Sequence, residues 1–121
     1  MQDKLLIVSK IKKSIDYVDK VLINFPNSEH VIKNNIISSY YELLELAFKA
    51  NIHKDPFYMR ECIVKIRMIE YYIKVGFEKK LISLKKYENI GKHLLETNKM
   101  IVTWANNEKN KQSVQWNIRS N

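Results

Sequence analysis

Arg60, Arg67 and Lys74 recur every seven residues, and so do Lys85, Lys92 and Lys99. Seven residues complete nearly two turns of helix, so each triplet forms one row with cations about 10 Å apart. Rows of this kind suit the phosphates of a nucleic acid strand or the acidic face of a protein. The spacing is equally that of a solvated helix face. Glu70 precedes Lys74 by four and Glu88 precedes Lys92 by four, and such pairs would partly neutralise both rows.

Other constellations carry less chemistry. His30, His53 and His93 fall on three segments and lack the spacing that gives a helix-borne metal site its ligands. Glu42 and Glu45 share a helix face, but general acid–base catalysis also needs a pocket and shifted pKa values, and a salt bridge to a basic helix of a neighbouring subunit suits them better. Gly91-Lys92 lacks the preceding glycine-rich loop of a phosphate cradle. Cys62 sits on the apolar side of its helix with no base nearby in sequence, which fits a small core residue. No catalytic residue, metal ligand, cofactor or small-molecule substrate is therefore assigned, and a binding role is expected in place of an enzymatic one.

Charge placement sharpens this. The chain of 121 residues carries a formal charge of +8. Residues 1–48 hold six Lys/Arg against six Asp/Glu, whereas residues 49–107 hold twelve against six. A cationic region attracts polyanions by Coulomb energy and counterion release, although abundant lysine also serves solubility. With one cysteine no internal disulfide forms, which fits a reducing compartment. Residues 1–13 mix charges among their apolar residues, unlike a signal peptide, and no apolar run approaches the roughly 20 residues of a membrane span. A cytoplasmic protein without a membrane partner is expected.

These residues need helices to position them. Two glycines and two prolines are too few for a hairpin-rich all-β chain. Leu5, Val8, Ile11, Ile15, Val18, Leu22 and Phe25 recur at spacings of three and four, the stripe of a first helix. Pro26 breaks it, and Asn27 or Ser28 is a candidate cap for a second helix carrying Ile32, Ile36, Tyr40, Leu43, Leu44, Ala47 and Ala50 toward Asn51. Asp55-Pro56 caps a third, with Met59, Cys62, Ile66, Ile69 and Ile73 inward and Gly76 near its end. Ser83 caps a fourth, whose seam is Tyr87, Ile90, Leu94, Ile101 and Trp104. Short links reverse the chain each time, so the expected fold is all-α, an antiparallel up-down-up-down four-helix bundle over residues 1–107. Residues 108–121 read as a polar, disordered tail in which Val114, Trp116 and Ile118 could dock on a partner. Ile36 beside Ile37, and Tyr71 beside Tyr72, face different ways and suggest a second apolar face for assembly.

Three motifs bring a family into view: Phe25-Pro26-Asn27-Ser28-Glu29; Tyr41-Glu42-Leu43-Leu44-Glu45-Leu46-Ala47 leading to Ala50-Asn51; and Ile82-Ser83-Leu84-Lys85-Lys86-Tyr87-Glu88. Over residues 5–104 the chain resembles the accessory variability determinants of diversity-generating retroelements, which are related to the bundle proteins encoded in rRNA intervening sequences. The resemblance implies a homopentameric barrel that binds a reverse transcriptase and its template RNA, or RNA/DNA, during mutagenic cDNA synthesis. The alternative is a self-assembling structural protein of the intervening-sequence type. The chain departs from the family where a glycine-basic-x-x-glycine-x-tryptophan pattern is common: it has Asn98, Lys99, Val102 and Trp104. Where the family spaces two arginines by four, it has Glu70 and Lys74.

Overall fold

The computed structural model describes residues 2–120, with side chains placed from residue 6 to residue 111. Four helices, α1 (Gln2–Leu22), α2 (His30–His53), α3 (Pro56–Glu78) and α4 (Leu84–Ser120), account for nearly all of it, and no strand occurs among the described residues. Each helix packs on two neighbours, in the cycle α1–α2–α3–α4. Pairs between helices fix their directions. Lys10 meets Glu96 and Tyr17 meets Asn89, so α1 and α4 run antiparallel. Glu42 meets Lys65 while Glu29 meets Lys79, so α2 and α3 do too. This is the expected four-helix bundle.

The predicted stripes meet in one core. Ile11, Ile15 and Val18 of α1, Ile36, Tyr40 and Leu43 of α2, Cys62, Ile66, Ile69 and Ile73 of α3, and Ile90, Leu94 and Ile101 of α4 are all buried. Burying each such aliphatic side chain contributes about 1.5–3 kcal/mol before the entropy of ordering is set against it. Ile32, Leu44 and Tyr87, expected inside, are only partly buried and pack against the core's edge.

Helix ends follow the predicted punctuation in two places and depart from it in two. Asp55 Oδ1 accepts a hydrogen bond from the Phe57 N–H at 3.0 Å, with Pro56 in the first turn where it has no amide to lose. Ser83 Oγ accepts from the Lys86 N–H at 3.3 Å. Neither Asn27 nor Ser28 caps α2, because Asn27–Glu29 form a 3-10 turn and no side chain caps either that turn or α2. The left-handed residue after α2 is Lys54 (φ 54°), and Asn51 remains inside the helix.

The end of α3 explains Gly76. The Leu81 N–H bonds back to the Gly76 carbonyl and the Lys80 N–H to that of Phe77, both at 2.9 Å, with Lys80 left-handed (φ 65°). This is the Schellman closure, with lysine where glycine is usual. It folds Ile82 onto Gly76 so tightly that a Cβ there would lie 2.9 Å from Ile82 Cδ1.

Helix α4 does not stop at residue 107. Its 37 residues take in 108–120, for which composition suggested a loose tail, and Ala105 and Glu108 are buried. The side chains of Val114, Trp116 and Ile118 lie outside the described residues.

Candidate nucleic-acid interface

The two cationic triplets stand on helices, and all six side chains are exposed: Arg60, Arg67 and Lys74 on α3, Lys85, Lys92 and Lys99 on α4. At 100° per residue each row drifts only about 20° per step. The α4 row lies opposite Ile90, Leu94 and Ile101, so it projects straight out from the bundle. The α3 row lies on the flank away from Lys65, whose ammonium ties α3 to Glu42 of α2.

Neither predicted neutralising pair forms among the described residues. Glu70 binds Arg67, Nη1 to Oε1 at 3.2 Å, and leaves Lys74 unpaired. Arg60, Lys74, Lys85, Lys92 and Lys99 have no ion-pair partner within 4.0 Å among the described residues. A long cationic side chain with no fixed partner keeps its charge available to an incoming phosphate and gives up no protein interaction in turning to it. The structure brings each triplet together as a row but does not merge the two. The α3 row sits on the α3–α4 side, while the α4 row points outward, with Lys92 about 40° round the helix from Glu96 and Lys85 about 40° from Asn89, the residues that meet α1.

The remaining candidates have structural roles. Within the chain, Glu42 pairs with Lys65 and Glu45 with Lys49. His53 stacks on Tyr58 with ring centroids 5.2 Å apart, His93 meets Tyr17 edge-on at 5.7 Å, and the His30 ring lies 3.3 Å from the Asn27 carbonyl. Among the described residues no group of three or more His, Cys, Asp or Glu could hold a metal. Cys62 is fully buried, and burial, with a smaller effect from Glu61, pushes its thiol up to about 12, far from the thiolate a nucleophile needs. Burial likewise raises the phenol of Tyr40, whose hydroxyl has no hydrogen-bond partner among the described residues.

The most useful electrostatic feature lies between α1 and α4, in helices whose charges are far apart along the chain. Lys10 Nζ donates to Glu96 Oε2, and Asn89 Nδ2 donates to the Tyr17 hydroxyl at 3.3 Å. The Lys10 hydrogen bond, then the Lys10 charge, with Lys92 and His93 adding to them, hold the Glu96 carboxyl below its ordinary value. Lys92 of the α4 row therefore acts on this seam.

A small basic bundle of four helices, with rows of exposed cations and an interior of aliphatic side chains, is the class that this geometry defines. Within that class, the chain belongs to the bAvd-like family, whose model matches residues 5–108, the accessory variability determinants that its motifs resemble. No curated protein matches the chain. No described helix is long and apolar enough to cross a membrane.

Proposed function

We propose that this chain is a non-catalytic, cytoplasmic accessory protein of a diversity-generating retroelement, and that the basic surface of its oligomer binds a reverse transcriptase and the template RNA to support mutagenic cDNA synthesis. Membership of the bAvd-like family across residues 5–108 is the observation that carries this reading. The exposed, largely unpaired rows Arg60–Arg67–Lys74 and Lys85–Lys92–Lys99 supply the phosphate contacts. No cofactor or small-molecule substrate is needed for such a role.

Assembly as a homopentamer belongs to the same reading. Helix α3 is apolar on two sides: beside its core row it exposes Phe57, Val64, Met68 and Tyr71 on the opposite face. Helix α2 exposes Tyr41, Phe48 and Ile52. Contiguous apolar rows of this kind on a small domain mark surfaces that another chain covers.

The test replaces Arg67, Lys74, Lys92 and Lys99 together with glutamine. RNA affinity should fall nearly independently of sequence, and the slope of log affinity against log salt should become shallower by roughly 0.7 for each phosphate of a single strand that is no longer neutralised. Helicity, and the five-chain mass by light scattering, should stay as in the wild type. An unchanged slope assigns the rows to a solvated face. A reverse-transcriptase pull-down that fails while RNA binding persists makes the surface a protein-docking site.

A further inference from the structure

Seven-residue spacing occurs once more, in the half of the chain whose charges balance. Lys13 and Lys20 of α1 are seven apart and both exposed, with Leu6 continuing their row toward the N-terminus. The hydrogen bonds between α1 and α4 place this row. Lys10 and Tyr17 face α4, where they meet Glu96 and Asn89. Lys13 lies three residues after Lys10 and four before Tyr17, and Lys20 lies three after Tyr17. On the other side of the seam, Lys85 lies four before Asn89, Lys92 four before Glu96 and Lys99 three after Glu96. Every one of these lysines is thus about one helical turn from a residue that bridges α1 and α4, and 40–60° further out around its own helix by roughly 100° per residue.

The antiparallel pairing also sets their levels. With Lys10 opposite Glu96 and Tyr17 opposite Asn89, advancing along α1 retreats along α4. Lys13 comes level with Lys92, and Lys20 with Lys85, to within about a turn. The two rows therefore run side by side, with rungs about 10 Å apart along the bundle.

Asp16 of α1 lies four residues before Lys20 and Glu88 of α4 four before Lys92, each about one turn from a lysine of these rows, but neither forms an ion pair within 4.0 Å among the described residues. Asp19 lies within about 20° of Lys12, whose ammonium rests 6.0 Å from the centroid of the Phe48 ring of α2, and belongs to that flank. Glu96 lies in the seam, and Lys10 occupies it. Lys13, Lys20, Lys85, Lys92 and Lys99 have no ion-pair partner among the described residues.

We infer that the α1–α4 side is a two-rail track for a single nucleic acid strand, in which Lys13 and Lys20 of α1 form the second rail beside Lys85, Lys92 and Lys99 of α4. Two rails straddle a phosphate chain, whereas one row touches it from a single side, so the strand is held along the seam. The recognition is of phosphates, carried by charge and spacing, and it is indifferent to base sequence. This inference rests on the RNA-binding reading above and deepens it by locating the strand.

The test compares two double variants in the full chain, K13Q/K20Q and the control K12Q/K49Q, which removes the same charge from other flanks. The probe is a 20-nucleotide oligouridylate in a salt titration followed by fluorescence anisotropy. Glutamine keeps helix propensity close to that of lysine, and circular dichroism with light scattering checks that both variants fold and assemble as the wild type. For K13Q/K20Q the salt slope should fall by roughly 1.4, two phosphates at 0.7 each. If all the proteins converge at 1 M salt, this corresponds to about 25-fold weaker binding at 0.1 M, while the control stays within about twofold of wild type. K13R/K20R should restore the wild-type slope. A K13Q/K20Q slope equal to that of the control overturns the track and leaves RNA binding by α3 and α4 standing. Wild-type protein with no salt-dependent binding overturns both. Failure of reverse-transcriptase capture with an unchanged RNA slope also overturns the track, and assigns Lys13 and Lys20 to a protein-docking surface.

Discussion

The two glycines have opposite environments, although both sit in helices. Gly91 faces open space, and a Cβ added there would meet nothing within 4 Å. Gly76 supports Ile82, with Phe25 Cζ at 3.7 Å from the same hypothetical Cβ. Gly91→Ala should therefore stabilise the protein by about 0.5–1 kcal/mol, the helix-propensity gain alone. Gly76→Ala gains the same propensity but overpacks a buried site, at a cost of about 1–3 kcal/mol. It should come out neutral to destabilising. Urea titration with both variants checks the sign, and equal shifts would show that Ile82 yields freely. Nothing local in the sequence separates the two positions. The difference arises when the α3–α4 link closes and carries Ile82 back over Gly76, an approach set by the turn at Lys80.

An ion pair with a defined pH signature, Lys10–Glu96, joins helices α1 and α4. Glu96 titrates lower in the folded chain than when unfolded, chiefly because Lys10 Nζ donates to it. A carboxyl with a depressed folded pKa contributes stability above its unfolded pKa, and that contribution disappears as pH falls through the folded value. Lys10→Gln should thus lower the melting temperature at pH 7 and make little difference near pH 2, a comparison that thermal scans at the two pH values supply. A deficit of equal size at both would trace the effect to packing of the lysine stem. The helices themselves were readable from period and punctuation, because each apolar stripe is local and Asp55-Pro56 and Ser83 act within one turn. Two ends were not. Lys54 and Lys80 take the left-handed turns that asparagine and glycine usually fill, since tertiary closure overrode residue preference. The polar stretch after residue 107 lies within α4, and the burial of Glu108 at its start has no counterpart in composition.

Across the whole molecule, the sides of the bundle differ in character. Exposed apolar side chains are most numerous on α2 and α3, with Leu6 on α1 and Leu84, Leu95 and Val102 on α4 besides, while unpaired lysines line α1 and α4 and include Lys74 on α3. The α4 row was legible in the sequence because seven-residue spacing is a property of one helix. The α1 partner row was not, because Lys13 and Lys92 are far apart in the chain. The equal count of six cations and six anions in residues 1–48 also drew attention away from the Lys13–Lys20 spacing. Polyanion binding is the central claim, and the salt dependence of wild-type RNA affinity tests it most directly. If the five lysines of the α1–α4 side each neutralise a phosphate, log affinity for single-stranded RNA should fall against log salt with a slope of at least about 3.5, five phosphates at roughly 0.7 each. A slope below about 1, or affinity that does not change between 50 mM and 200 mM salt, would contradict it.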